Sequence, residues 1–388
     1  MKNICIVTSN RSDFGIQKLL ISKLIKSRFN IKIIATGTHF SKQFGSTFSE
    51  IKEAKIKIFK KININKNNNN NFDTPEFISK AMSLCLKKMS DLFSNAKVDL
   101  LIILGDRFEI FATVVAAYIN KIPIAHIHGG EVTKGSIDDG FRHSISKMSN
   151  IHFVANKIYK KRLIQLGEEP KNIHVVGALG VENIKSKDFL NQKELEKKLK
   201  IKFMKKNLLV NFHSDNTNKN VTMLHIKRLL SALSLLKDTF LIFTYPALDL
   251  NNKIIIRFIK KFVRKNKNSI FIKSLGSLKY FSVLKIVDGM IGNSSSGIIE
   301  MPSFKKPSIN VGSRQEGRIR SLTVINSKID KKKIIASIQK LYSKKFNLKC
   351  KNSKNPYMVP NSSDRIINIL KNIKLDNFNK KKFRDIKF

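Results

Sequence analysis

Two doubly wound α/β halves, each a parallel sheet covered by helices on both faces, are what this sequence predicts. Three observations carry that prediction. Short continuous runs rich in Ile and Val alternate with longer amphipathic stretches, the pattern of parallel strands buried on both faces and joined by helical crossovers. A charged helical stretch near 185–204 breaks this rhythm, which then restarts. The chain of 388 residues exceeds one ordinary core and suits two domains of common size.

In order, ICIVT (4–8) reads as the first strand and is followed by a helical pattern from Phe14 to Lys26. IKIIAT (31–36) is the second strand, with a helix-like stretch near 75–95 after the polar, low-complexity NKNNNNN (65–71), expected to be a surface loop. VDLLIIL (98–104) leads into a helix through Ala116 and Ala117, and IPIAHI (122–127), IHFVA (151–155) and IHVVG (173–177) continue the series. The second half supplies NLLVNF (207–212), TFLIFTY (239–245), SIFIKS (269–274), VDGMIG (287–292) and KPSINV (306–311). Folds of this kind bind ligands at the C-terminal ends of their strands, and a cleft between two such halves is a natural site.

Composition narrows the function classes. Hydrophobic residues make up 42% of the chain, enough for packed interiors. No apolar stretch approaches the roughly 18–20 residues that span a bilayer. The N-terminal apolar run reads as a strand, not as a signal peptide. Cys5, Cys85 and Cys350 are far apart and lack metal-ligand spacing, which points to a reducing cytoplasm and no metal site. The net charge of +46 is mostly lysine spread along the chain, with no aromatic-interleaved basic stripe, so no nucleic-acid partner is expected.

Polar residues gather after the strands. SNRSDFG holds Arg11 and Asp13, TGTHF holds His39, and GDRFE holds Asp106 and Arg107. HGGEVTKGSIDDGFRHS packs His128, Glu131, Asp138, Asp139, Arg142 and His143 together. NLLVNF runs into His213, GMIG runs into GNSSSG with Ser294 and Ser295, and GSRQEGR brings Arg314, Glu316 and Arg318. Each has a plainer reading: Asp138 and Arg142 as a surface i,i+4 ion pair, Asp106 or a serine as a helix N-cap, His39 or His126 as packing. Their shared position at strand ends favours a site. There is no GxxxxGK[ST], no GxGxxG after the first strand, no HExxH and no GxSxG. Serines without a nearby base are poor nucleophiles and good phosphate ligands. Carboxylates and histidines in one half facing a phosphate cradle in the other suit acid–base chemistry on a sugar nucleotide.

With these residues assembled, the chain resembles the hydrolysing UDP-N-acetylglucosamine 2-epimerases over about residues 3–375. NRSDFG, GTHF, LGDRFE, HIHGGEVTKGSIDDGFRHSISKMS, GNSSSGIIE and INVGSRQEGR occur in order. The resemblance implies a GT-B fold of two Rossmann-like domains, 1–180 and 181–360. Residues 361–388 would form a helix crossing back to the first domain plus a basic tail. It also implies a cytoplasmic homodimer or homotetramer that uses no cofactor and no metal. Ser294 and Ser295 would hold the diphosphate, Glu300 the ribose, and Arg11 and Arg314 would flank the nucleotide. Asp106, Glu131, Asp138, Arg142 and His213 match acid–base and sugar-holding positions, with His39, Arg107 and His128 in the substrate-binding set. Animal and non-hydrolysing relatives carry glutamate where this chain has His128, which shifts the expected carboxylate to Glu131.

The implied reaction removes the C2 proton as UDP leaves C1, then adds water to the glycal. UDP-N-acetylglucosamine is the first expected substrate, for sialic-type acid synthesis. UDP-2,4-diacetamido-2,4,6-trideoxyglucose is the alternative, for legionaminic acid, and a GT-B glycosyltransferase is the rival reaction. From the charge pattern, duplex DNA binding should be weak and fade steeply with added salt. A titration at two salt concentrations checks this, and salt-resistant, sequence-selective binding would contradict it.

Overall fold

The computed structural model describes all residues except 42–47, 65–73, 135, 186–187, 215–217, 247–250, 376–380, 382–383 and 386–388. The NKNNNNN stretch expected as a loop lies outside the described residues. The first sheet contains β1 (Asn3–Thr8), β2 (Asn30–Ala35), β3 (Lys60–Lys61), β4 (Leu100–Leu104), β5 (Ile124–Ile127), β6 (Ile151–Val154) and β7 (Ile173–Val175). Its order is β3-β2-β1-β4-β5-β6-β7. The second contains β8 (Lys206–Asn211), β9 (Thr239–Thr244), β10 (Ser269–Ile272), β11 (Gly289–Gly292), β12 (Ser308–Val311) and β13 (Val324–Ser327), in the order β10-β9-β8-β11-β12-β13. Every strand pair is parallel, with registers such as Ile4↔Ile31, Ile6↔Ile102 and Ile291↔Val210. This is the doubly wound GT-B architecture.

The apolar runs become central strands because both faces are covered. All five residues of β4 are buried, and helices from both sides contribute to the packing around them. The order in which strands are added reverses between β1 and β4 in one sheet and between β8 and β11 in the other, which opens a crevice at the C-terminal end of each. Helix starts follow local chemistry. Asn10 accepts from the Asp13 N–H at the start of Arg11–Ile25, and Asn191 and Glu194 form a reciprocal capping box on Gln192–Leu199.

Two features differ from the sequence reading and one agrees with it. β3 and β13 are short edge strands without a buried run, so no apolar signature marked them. The charged stretch near 185–204 holds one short helix, Gln192–Leu199, started by its capping box, while a separate helix, Leu179–Lys185, ends where the stretch begins. The lysines sit outside: on Asn252–Lys265, Ile255, Ile256, Ile259 and Phe262 face the core while Lys260, Lys261 and Lys265 are exposed. Among the described residues no helix is long and apolar enough to cross a membrane.

The helix Ser362–Asn372 returns to the first sheet and completes its core. Ile366, Ile367 and Leu370 pack with Ile21, Leu24 and Phe29. The Glu182 carboxylate accepts from the N–H and hydroxyl of Ser363 at 2.8 and 2.5 Å, capping a helix whose Asn361 makes no side-chain cap. Lys2 Nζ donates to the carbonyls of Leu370 and Ile373 at 2.7 and 2.6 Å, closing the other end. Ile366→Ala or Leu370→Ala should therefore destabilise the fold by about 2–5 kcal/mol, the cost of a cavity in a packed core. Urea unfolding checks this; a loss below about 1 kcal/mol would mean that the helix is a dispensable appendage.

Candidate active site

The C-terminal edges of the two sheets enclose a cavity of about 380 Å³. On the first wall, the chain leaves β4 through Gly105, Asp106 and Arg107. Arg107, not Asp106, holds the cap position of the helix Phe108–Ile119, and it makes no side-chain cap. Its Nε donates instead to Oε1 of fully buried Glu109 at 2.9 Å. Asp106 turns to Arg142. The helix Ile137–Met148 brings Asp138 and Asp139 in its first turn and Arg142 one turn later, after an N-cap by Ser136.

Arg142 is 2% exposed and surrounded by acceptors. Nη1 donates to the Glu131 carbonyl at 3.1 Å and to Asp139 Oδ1 at 2.9 Å. Nη2 donates to the Asp106 carboxylate and to Thr133 Oγ1 at 3.0 Å. Arg142 therefore pairs with Asp106 and Asp139, and the simple surface pair with Asp138 does not form. Asp138 lines the cleft. Asp13 also lines it, with its Oδ2 accepting from Ser9 Oγ at 2.5 Å and Asn10 Nδ2 at 2.7 Å. Burial pushes the Asp13 carboxyl up to about 6 against these two hydrogen bonds.

The second wall is set by glycine and asparagine. Gly292 ends β11 at φ 146°, where a Cβ would lie 1.8 Å from the Asn211 carbonyl, so only glycine lets β11 approach the end of β8. Asn293, fully buried, accepts from the His213 N–H at 2.7 Å and donates to the His213 carbonyl at 2.9 Å. Its own carbonyl accepts from Gln315 Nε2 at 2.8 Å and from Arg314 Nη1 at 3.4 Å. His213 is thereby fixed at the cleft. Ser294 and Ser295 follow, before a single helical turn, Ser296–Ile299. Ser295 holds the cap position but makes no side-chain cap; Ser294 Oγ instead accepts from the Ser296 N–H at 3.4 Å. Among the described residues the N–H groups of Ser294 and Ser295 have no protein acceptor. Ser296 is engaged by the Tyr280 hydroxyl at 2.6 Å. Glu300 closes this wall, its carboxyl pushed above the usual range by burial.

Arg11, Asp106, Arg107, Asp138, Arg142, His213, Ser294, Ser295, Glu300 and Arg314 all line this one cavity. His39, His128 and Glu131 do not. His39 is fully buried, 3.1 Å from Thr8 Oγ1 and edge-on to Phe14; burial holds it down to about 4 and therefore neutral. From that stretch it is Thr38 that faces the cleft. Glu131 is 2% exposed, with one oxygen 2.8 Å from His128 Nδ1 and the other 2.9 Å from Arg318 Nη2. Burial raises its pKa, but the Arg318 charge and the His128 hydrogen bond outweigh it and hold the carboxyl below its ordinary value. Both residues lie behind the wall, and Arg318, paired with Glu131, is what reaches the cavity.

Asp13, Gln315, Arg318 and Tyr280 also line it, beyond the residues assigned roles from the sequence. Asp13 and Arg318 were themselves among the strand-end residues but carried no assigned role; Gln315 lay unremarked inside GSRQEGR, and Tyr280 had no signal. The loop after β12 spans the cleft, with Arg162 donating to the Gly317 carbonyl at 2.8 Å and Lys134 pairing with Glu316 at 3.4 Å; separately, Arg11 reaches the Lys273 carbonyl, after β10, at 3.2 Å.

Comparison with known proteins gives the family and the fold. The UDP-N-acetylglucosamine 2-epimerase family model matches residues 23–371. A Campylobacter jejuni protein named GDP/UDP-N,N'-diacetylbacillosamine 2-epimerase (hydrolyzing) is 42% identical, covering 99% of this chain and 99% of its own. The Escherichia coli polysialic acid biosynthesis protein P7 is 38% identical over 100% of this chain and 98% of its own. The structure of the Neisseria meningitidis UDP-GlcNAc 2-epimerase bound to UDP-GlcNAc superposes with a TM-score of 0.80 at 19% identity, covering 96% of this chain and 100% of that one, a likeness of fold. With a family match along most of its length and relatives aligned from end to end, the chain belongs to the UDP-N-acetylglucosamine 2-epimerase family.

Proposed function

We propose that this chain is a hydrolysing 2-epimerase of a UDP-linked 2-acetamido sugar. The observation that carries the reading is the division of one cleft: Asp106, Asp138 and Arg142 stand on one wall, His213 and the serine pair on the other. A base removes the C2 proton while the C1–oxygen bond to the diphosphate breaks, leaving a glycal. Water then adds, its oxygen to C1 and a proton to the opposite face of C2, releasing a free sugar inverted at C2. Inversion needs proton removal on one face and return on the other, so two separate proton carriers are required. Asp106, Asp138 and His213 are the candidates, with Arg142 holding Asp106 in place. Negative charge grows on the leaving diphosphate, where the N–H and hydroxyl groups of Ser294 and Ser295 and the Arg314 guanidinium supply donors. Glu300 would take the ribose, and Arg11 would flank the nucleotide.

The name of the 42% identical relative favours 2,4-diacetamido-2,4,6-trideoxyglucose as the sugar, as for a legionaminic acid precursor. UDP-N-acetylglucosamine is the second candidate, supported by the family description and by the relative named for polysialic acid synthesis. Three free, buried cysteines fit a cytoplasmic enzyme, and a homo-oligomer is part of the same reading.

In heavy water, without acceptor, the protein should release UDP and a free manno-configured sugar deuterated at C2, read by proton NMR with each candidate substrate. Retention of the original C2 proton would falsify the elimination, and UDP release that depends on an acceptor would point to a glycosyltransferase. Substitutions should separate the walls. Ser294→Ala and Ser295→Ala should each weaken UDP binding by about 1–2 kcal/mol, the scale of a lost hydrogen bond to a charged group. Turnover should fall with it but persist. Asp138→Asn and His213→Asn should leave UDP affinity nearly unchanged while turnover falls by a factor on the order of hundreds. Calorimetry alongside kinetics checks both, and the reverse pattern would overturn the assignment.

A further inference from the structure

His126 lies on β5 behind the cleft, fully buried, and takes no part in the chemistry above. Both ring nitrogens are engaged. Nε2 is 2.9 Å from the Gly105 carbonyl and Nδ1 is 3.0 Å from Ser146 Oγ. A carbonyl can only accept, so Nε2 carries the proton and Nδ1 accepts from the serine hydroxyl. The ring is neutral, because burial pushes its pKa down to about 3. Ser146 is the residue one turn beyond Arg142 on the same helix, and Gly105 immediately precedes Asp106. The imidazole therefore spans the two elements whose side chains meet as the Asp106–Arg142 pair. The approach is close: a Cβ on Gly129 would fall 2.9 Å from both His126 Nδ1 and Ser146 Oγ.

We propose that His126 is a positioning residue that sets the Asp106 loop against the Asp138–Arg142 helix by bridging the Gly105 carbonyl to the Ser146 hydroxyl. The effect on turnover rests on the reading of the cleft as an epimerase site; the effect on geometry does not. Gly105 has no side chain of its own to anchor its loop, and a shift of about 1 Å in a reacting group can cost about a hundredfold in rate.

The test compares His126→Gln, which can place an amide N–H near the Nε2 position, with His126→Asn, which is too short to reach Gly105. His126→Gln should keep turnover within about fivefold of wild type, while His126→Asn should lower kcat about a hundredfold. KM and UDP affinity should stay within about threefold in both, since the nucleotide wall lies on the other sheet. A crystal structure of His126→Asn should show the Asp106–Arg142 contact opened, a readout that stands even if the wild type turns over neither sugar nucleotide. In that event only the functional reading falls. If His126→Asn does not fold, Ser146→Ala carries the test, with kcat lowered about tenfold at unchanged UDP affinity. Equal loss in the Gln and Asn variants, undiminished turnover in His126→Asn or Ser146→Ala, or an intact Asp106–Arg142 contact in the Asn structure would overturn the proposal.

Discussion

A guanidinium removed from water is tolerable only where its charge is balanced and its donors are met. Arg142 satisfies that condition with acceptors from three separate places: Asp106 after β4, Glu131 and Thr133 after β5, and Asp139 on its own helix. No one of these segments could hold it alone. Because they converge on one buried cation, the ends of two neighbouring strands and the start of a helix are locked into a single arrangement. Asp138 then faces the cavity from a helix whose rotation is already fixed by its neighbour. A buried ion pair of this kind contributes little net stability, and what it supplies is a defined geometry.

The second wall solves a similar problem with neutral groups. Asn293 clamps the His213 backbone on one side and receives Gln315 and Arg314 on the other. Four residues along from Arg314, Arg318 reaches the Glu131 carboxylate on the first wall. A continuous set of contacts thus runs from the loop bearing the serines to the carboxylate behind the opposite wall. The two halves of the cleft are joined through the segment after β12, which makes it a structural seam as well as a lining.

The central strands were legible because parallel strands buried on both faces need continuous apolar runs, as in all of β4 and in Leu208–Val210 at the centre of β8. Edge strands such as β3 escape that requirement and so left no trace. Strand-end motifs located the cleft, since the doubly wound topology leaves little choice about where its ligands go. What the sequence could not convey was side-chain direction within a turn. Thr38 and His39 are neighbours, yet one faces the cavity and the other packs against Thr8 and Phe14. Nor could it convey pairing across the cleft: the resemblance made Glu131 a candidate carboxylate, but nothing in its local sequence ties it to Arg318, far along the chain. Arg142 and Asp138 had the spacing of a helix-surface pair, and only the approach of the β4 loop turned the arginine inward.

The returning helix Ser362–Asn372 has a bearing on how the protein is made. Its isoleucines and leucine are part of the first half's own core, so that half lacks part of its interior until nearly the whole chain has left the ribosome. The second half has its own core clusters and can be completed earlier in synthesis. The first half's core is therefore completed only after the residues of the second half's core have been made. A truncated nascent chain would present an exposed apolar seam on its first half, making late stops in translation the ones most in need of chaperone capture.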